Sequence, residues 1–466
     1  MISRRLLRCL LFGWGALFFS FALWAKTEVR FLFAYDPNHP EDPTTRAVLR
    51  LAEKNPDFEP VKWGGLALPG AGGRATFMLA LAGGTAPDVY KAWFHILRHD
   101  VSQGFVYPLD EWIDPEKAAR ESRDLWDRVR VFDGHVWALP TPGVAYYGLV
   151  YRKDLVAAAG LDPESPPRTW ADFRTWCVAL TRPGRRAFAI ENRPWGFLPW
   201  VQAAGGDVIR ETSPGAYEAA FDSPAAVRAA EYLQSLVRLG VVRGLPTLTV
   251  ADDVGRLFAS GEIVAVFGGE DLVRRLTETL SLPSETIGLM PFPAADEGGA
   301  RVLQAHRHFY ALTDSAGRRS KEARDWAFRA LQAITSRELA DEEIRRNVAE
   351  GRTAWCCPED LIRLGFRDEL SQVPQGVRTM YEELSRGEIK AVTEPWVGFW
   401  QAASDLVQRE FLGLLLSDKG GELDCRAALA QVTIDANRGL MFENDRTSVE
   451  QARPFARIIL GALIIW

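Results

Sequence analysis

The sequence predicts a two-lobed α/β protein, and three observations carry that expectation. At 466 residues the chain is longer than one hydrophobic core usually serves. Its 47% hydrophobic and 25% charged content is that of an ordinary globular protein, so the length must fold around more than one core. From Glu28 onward, strand and helix patterns alternate in the rhythm of a parallel sheet covered by helices.

Ahead of that alternation, Arg4, Arg5 and Arg8 introduce a largely apolar run from Leu6 to Trp24 that ends on Ala25, the pattern of a secretory signal over residues 1–25. Leu23 stands where cleavage prefers a smaller residue, and the run approaches the length of a span, so an uncleaved anchor is the alternative. Either way the remainder is expected outside the cytoplasm. Residues 28–35 then read as a strand, with Val29, Phe31 and Phe33 alternating with Arg30 and Leu32. Residues 43–55 read as a helix with Val48, Leu49 and Leu51 on one side. An extended piece at 60–68 leads to a helix that Gly83 and Gly84 stop, and Pro87 turns the chain into a third strand at 88–90.

Strands at 136–140 and 148–151 are expected to cross into a second unit. Pro166 and Pro167 impose an extended approach to a helix at 170–180, and Thr169 with Asp172 forms a capping box at its start. Further helices are expected at 224–239 and 253–260, with buried strands at 263–267 and 287–290 bringing the chain back towards the first lobe. A strand at 309–312 and a helix at 321–335 would complete that return. The remainder to residue 443 is mostly helical by periodicity.

Several of these segments are ordered and spaced as in a known family. The run from Leu81 through Gly83, Gly84, Pro87 and Asp88 to Tyr90, then Gly104 to Asp110, Leu149 to Leu155, Ala159 to Asp162 and Pro167 to Phe173, resembles the extracellular solute-binding proteins of carbohydrate-type ABC importers. Weaker likeness continues through Phe258 to Val266, Ala323 to Ser336 and Ala427 to Asn437. The resemblance implies a periplasmic-binding-protein-like fold, two α/β lobes joined by crossover segments with a ligand cleft between them. It also implies a carbohydrate ligand, an inner-membrane ABC permease as partner, no cofactor and no catalysis. On this basis residues 26–140 and 268–336 are assigned to the N-terminal lobe and 141–267 and 337–443 to the C-terminal lobe. Residues 444–466 are left as a polar linker and apolar tail, so either terminus is a place for membrane attachment. One departure stands out: before the strand at Tyr310, where the family usually has small residues, this chain has His306, Arg307 and His308.

Other function classes fit the residues less well. A net charge of -6, with the basic residues dispersed, gives no surface for a phosphate backbone, so nucleic acid is not an expected partner. Gly70, Gly72 and Ala75 match a dinucleotide-loop pattern, but the acid at the end of the next strand that would hold the ribose is missing, since Asp88 sits at a strand start. His95 and His99 have the spacing of zinc ligands on a helix without the glutamate that motif needs, and His306 and His308, read as one strand face, have no third ligand. Acids such as Asp252, Asp253, Asp341, Glu342 and Glu343 are abundant without forming a glycosidase pair, and the last three, near Arg345 and Arg346, read as an ion-paired helix face. Cys177, Cys356, Cys357 and Cys425 show no metal spacing, and any disulfide among them is left open.

Sixteen tryptophans are many for this length, and Trp93, Trp195, Trp200, Trp355 and Trp396 are read as loop residues. Flat rings suit the C–H faces of sugars, and each indole N–H can meet a hydroxyl. Tyr146 and Tyr147 fall where the chain crosses between lobes, and Glu270 follows a buried strand, the end at which open α/β sheets place ligands. Asp36, Trp93, Tyr146, Trp195, Glu270 and Trp396 are therefore the candidate ligand-binding residues, with Asn192 as a further polar reader. A sugar-processing enzyme outside the cytoplasm and a membrane-tethered sugar-sensing module are the alternatives.

Overall fold

A computed structural model of the chain describes residues 26–64, 73–121, 125–213, 216–246 and 251–444. The signal, the glycine loop at 70–72 and the apolar tail lie outside them. Two sheets organise the described residues. The first has the strand order Phe58–Lys62, Thr27–Leu32, Val89–Trp93, His308–Thr313, Val106–Tyr107, with Leu139–Pro140 also paired to His308–Thr313. Its first three strands are parallel and His308–Thr313 runs antiparallel to them. Alternation explains the opening strand: Val29 and Phe31 are fully buried while their neighbours are not. Helix Lys321–Ile334 covers this sheet, started by the Ser320 side chain accepting from Ala323 N–H, and buries Trp326, Ala327, Ala330, Leu331 and Ile334 at helical spacing.

The second sheet has the order Val242–Leu245, Arg186–Glu191, Ile263–Gly268, Ala145–Arg152, Arg301–His306, Ile389–Val392, with Ile287–Met290 also paired to Ala145–Arg152. Ile263 to Val266 are wholly buried, as a central strand covered on both faces should be. Helix Trp170–Leu180 opens with the capping box expected of Thr169 and Asp172. Trp200 is fully buried in this lobe, with Phe173, Phe188 and Phe292 within ring-contact distance.

The lobe boundaries differ from the sequence reading. Residues 268–306 were assigned to the first lobe, but Ile287–Met290 and Arg301–His306 both run antiparallel to Ala145–Arg152 in the second. Each can thereby satisfy its backbone groups on a strand already in place, so the chain returns only at Arg307. His306 and His308 consequently lie in different sheets rather than on one strand face. Arg307 Nε donates to the carbonyl of Thr141, and Thr141 N–H donates to the His308 carbonyl at 2.9 Å, which ties the two crossovers together. Helix Arg337–Ala349, expected in the second lobe, packs instead on Pro43–Lys54 of the first, with Glu343 paired to Arg46 and Glu342 to Arg50. The acids at 341–343 are thus ion-paired, but mainly across elements. Cys177, Cys356, Cys357 and Cys425 are all free thiols.

Candidate functional site

The C-terminal ends of the first lobe's parallel strands meet the second lobe across a cleft. Thr27–Leu32 and Val89–Trp93 run in register, Leu32 opposite Tyr90, so both present the side chains at their C-terminal ends to the same edge. One delivers Phe33, which has φ 62° and is 69% exposed; the other delivers Trp93, 44% exposed. A non-glycine residue at positive φ costs about 1 kcal/mol or more, and such strain gathers at ligand sites. Both rings line a cavity of about 740 Å³, with Phe77 and Tyr90 beside them and Phe399, Gln401 and Asp405 of the second lobe facing them.

Beside His306, where the chain leaves the second sheet, the second lobe holds a stack of partly buried rings. Trp195 lies parallel to Phe267, at 2° and 5.8 Å between centroids, and Tyr147 stacks on Phe267 at 5.7 Å. His306 meets Tyr147 edge-on at 5.2 Å and Trp195 at 6.4 Å. Trp195 Nε1 and Trp396 Nε1 are buried and find no hydrogen-bond partner among the described residues, a cost of about 1–3 kcal/mol each that a ligand oxygen would remove. Burial pushes the Glu191 and Glu270 carboxyls above the usual range, against the pull of Arg193 and Arg274 respectively. Glu270 opens onto a second, charged cavity of about 620 Å³ together with Asp42, Arg274, Arg346 and Arg352.

The lobes touch through helix Phe94–Ser102 of the first. Its Arg98 donates to the Tyr217 hydroxyl at 2.9 Å and lies over the Trp396 ring at 5.0 Å. Its His95 Nδ1 stands 3.2 Å from Glu394 Oε2, close enough for an ion pair though off hydrogen-bond alignment. Glu394 is buried and accepts from Trp400 Nε1 at 2.9 Å. Burial alone would raise its carboxyl; the charge and contact of His95, with His306 and Trp400, outweigh that and hold it below the usual range.

The predicted residues are placed unequally. Trp93 lines the first cavity and Glu270 the second. Trp195 belongs to the ring stack, Trp396 lies under Arg98 at the lobe contact, and Tyr146 packs edge-on against Tyr381 at 5.9 Å. Asp36 lines neither of these two cavities; its carboxylate is held by Lys62 at 2.5 Å and by the Asn38 N–H at 3.1 Å. Asn192 N–H donates to Leu245 O beside the second sheet's edge. Trp200, read as a loop residue, is in helix Leu198–Ala203 and belongs to the core. Phe33, Lys91 and Phe399 line the first cavity and were missed. Alternation made Phe33 look like a third inward strand residue, whereas the strand ends at Leu32. Among the described residues no group of three His, Cys, Asp or Glu side chains is arranged to hold a metal ion.

The profile of the bacterial extracellular solute-binding proteins matches residues 36–338. The chain belongs to that family. A curated binding protein of Brucella abortus strain 2308 is 23% identical over 243 residues, 50% of this chain and 54% of that protein. This solute-binding protein therefore spans about half the length of the curated relatives it matches. Among solved structures it is similar to the GacH receptor of Streptomyces glaucescens, which was determined unliganded and with acarbose. The TM-score is 0.66 at 18% identity, covering 89% of this chain and 98% of that one. It is similar also to an ABC transporter solute-binding protein of Thermotoga lettingae bound to α-D-tagatose, with a TM-score of 0.66 at 15% identity, covering 89% and 100%. At these identities the likeness establishes the two-lobed fold.

Proposed function

We propose that this solute-binding protein captures a carbohydrate in the cleft between its lobes, leaves it chemically unchanged and delivers it to an ABC permease of the inner membrane. The observation that carries the reading is the exposure of Phe33 and Trp93 side by side at the ends of adjacent parallel strands, across the cavity from Phe399. Exposed rings of this size in a concave site favour a ligand with apolar faces. The ring stack of Trp195, Phe267 and Tyr147, with the Trp195 indole N–H lacking a partner among the described residues and the Glu270 carboxyl close enough to act on Tyr147, favours a ligand that also carries hydroxyls. The tagatose and acarbose complexes of similar folds lend support. Of the sequence candidates, Trp93, Trp195 and Glu270 are proposed to contact the ligand; Tyr146 and Trp396 are proposed to support the walls. Thermal melts against a panel of mono- and oligosaccharides test the reading. A true ligand at about 100 times its Kd adds roughly 2.7 kcal/mol of stability, and a panel with no shift would sink it.

A further inference from the structure

We propose that Lys91 sets the specificity of this cleft by taking an anionic group, a carboxylate or a phosphate, carried by the saccharide. The inference rests on the carbohydrate reading of the same cleft and narrows it. Lys91 lies on strand Val89–Trp93, two residues before the exposed Trp93, and lines the same cavity. Its Nζ stands 4.8 Å from the centroid of the Trp93 ring. A sugar packed on Trp93 therefore brings its ring substituents within reach of the ammonium. The cation–π contact keeps the ammonium at that wall without neutralising it.

What singles out Lys91 is the lack of an ion-pair partner among the described residues. Among the described residues no carboxylate forms an ion pair with it, whereas the other cations around the cleft are mostly engaged. Arg193 lies 3.6 Å from Glu191, Arg352 is paired with Glu278 at 3.2 Å and Arg346 with Glu343 at 2.7 Å. Arg98 is held by the Tyr217 hydroxyl and three aromatic rings. Arg274 also lacks a carboxylate partner among the described residues, but it opens onto the other cavity, where Glu270 offsets it. Next to the Trp93 ring, His308 packs edge-on at 5.9 Å. Burial first, then the charge of Lys91, pushes its imidazole down to about 4, so near neutral pH His308 is uncharged beside the Lys91 ammonium.

The cavity also withholds water's compensation. Burial holds the Lys91 ammonium below the usual lysine range, with Asp271 offsetting part of the effect. Phe33, Phe77, Tyr90 and Phe399 make up much of the remaining wall, and the one carboxylate among the lining residues, Asp405, accepts from Gln401 at 3.3 Å and Gln408 at 3.5 Å and forms no ion pair with Lys91. A neutral hydroxyl offers a dipole; a carboxylate or phosphate oxygen offers a full charge and a charge-assisted hydrogen bond in a site of low polarity. Lysine suits either oxyanion, because its ammonium acts as a point charge and does not demand the planar geometry of a guanidinium.

The test is a calorimetric comparison of a neutral oligosaccharide with two derivatives of the same sugar, one ending in a uronate and one carrying a phosphate. The wild-type protein should prefer at least one derivative over the neutral parent by about tenfold or more, the gain of a charge-assisted bond over a neutral one. Whichever derivative is preferred identifies the source of the oxyanion. Lys91→Met should bring the ratio close to one, and Lys91→Arg should retain a preference. Because a bound anion favours the charged amine, the ratio should also fall as pH rises towards the range where free Lys91 loses its proton. Binding of all three sugars with equal affinity to the wild type overturns the inference and leaves the carbohydrate reading standing. A preference that survives Lys91→Met overturns it as well. Failure of every saccharide to bind removes both.

Discussion

Arg98→Ala separates the lobe contact from the lobes themselves. The arginine leaves helix Phe94–Ser102 of the first lobe and reaches the Tyr217 hydroxyl of the second at 2.9 Å, with its guanidinium 5.0 Å from the Trp396 ring. A hydrogen bond from a charged donor is worth about 1.5–3 kcal/mol, and a partly exposed cation–π contact about 0.5–1 kcal/mol. Release of the side chain's rotamer entropy returns part of that, so about 2 kcal/mol should be lost from the closed arrangement. If ligand binds only when the lobes meet, and the open form predominates without it, the whole loss appears in affinity, about 30-fold in Kd. The contact belongs to neither lobe's core, so the melting temperature without ligand should change little. Titration calorimetry gives the affinity, and small-angle scattering of the free protein should give the wild-type radius of gyration, since the open form already predominates. A Kd within twofold of wild type, in a protein that melts normally, would refute the idea that this contact is coupled to binding.

Three further outcomes follow from individual residues. Trp93→Ala and Phe33→Gly should each weaken sugar binding by about 2 kcal/mol, as truncation of an anchoring ring typically does, while leaving the melting temperature undiminished because both rings are exposed; unchanged affinity in both would remove them from the site. His308 has a folded value of about 4 against an ordinary 6.5, so the stability it contributes is present above pH 6.5 and is lost as pH falls through about 4, by up to roughly 3 kcal/mol. His308→Gln should flatten that part of the stability profile in denaturant titrations, and an unchanged slope would count against a buried neutral imidazole. Gly439→Ala would set a Cβ 1.9 Å from Phe399 Cζ, so Phe399, a wall of the cavity, must move. The overpacking should cost about 1–3 kcal/mol, partly offset by helix propensity, and weaken binding; a variant that matches wild type in both melt and titration would show that the ring has room.

Local signals were legible where one stretch of chain decides the outcome. Thr169 and Asp172 specify their helix start because both capping partners lie within four residues, and Pro43 marks the start of helix Pro43–Lys54 for the same local reason. Strand partnership was not legible. Ile287–Met290 announces itself as a strand, but nothing within it says that it pairs with Ala145–Arg152 rather than with the first sheet. The cleft was legible only in part for a related reason. Trp93 and Glu270 were found because they directly follow strand patterns, whereas Arg98 and Tyr217 are 119 residues apart and meet only once the lobes fold. Phe33 was hidden by its own regularity: continued alternation favours a buried strand residue, and only the turn to positive φ exposes it.

Calorimetric titration of the protein with saccharides, followed by chromatography of the recovered ligand, addresses the central claim most directly. The expected result is saturable binding of one saccharide per chain, with the ligand recovered intact and the affinity reduced by Trp93→Ala. Absence of binding across a broad panel, or the appearance of cleaved or modified sugar, would contradict it.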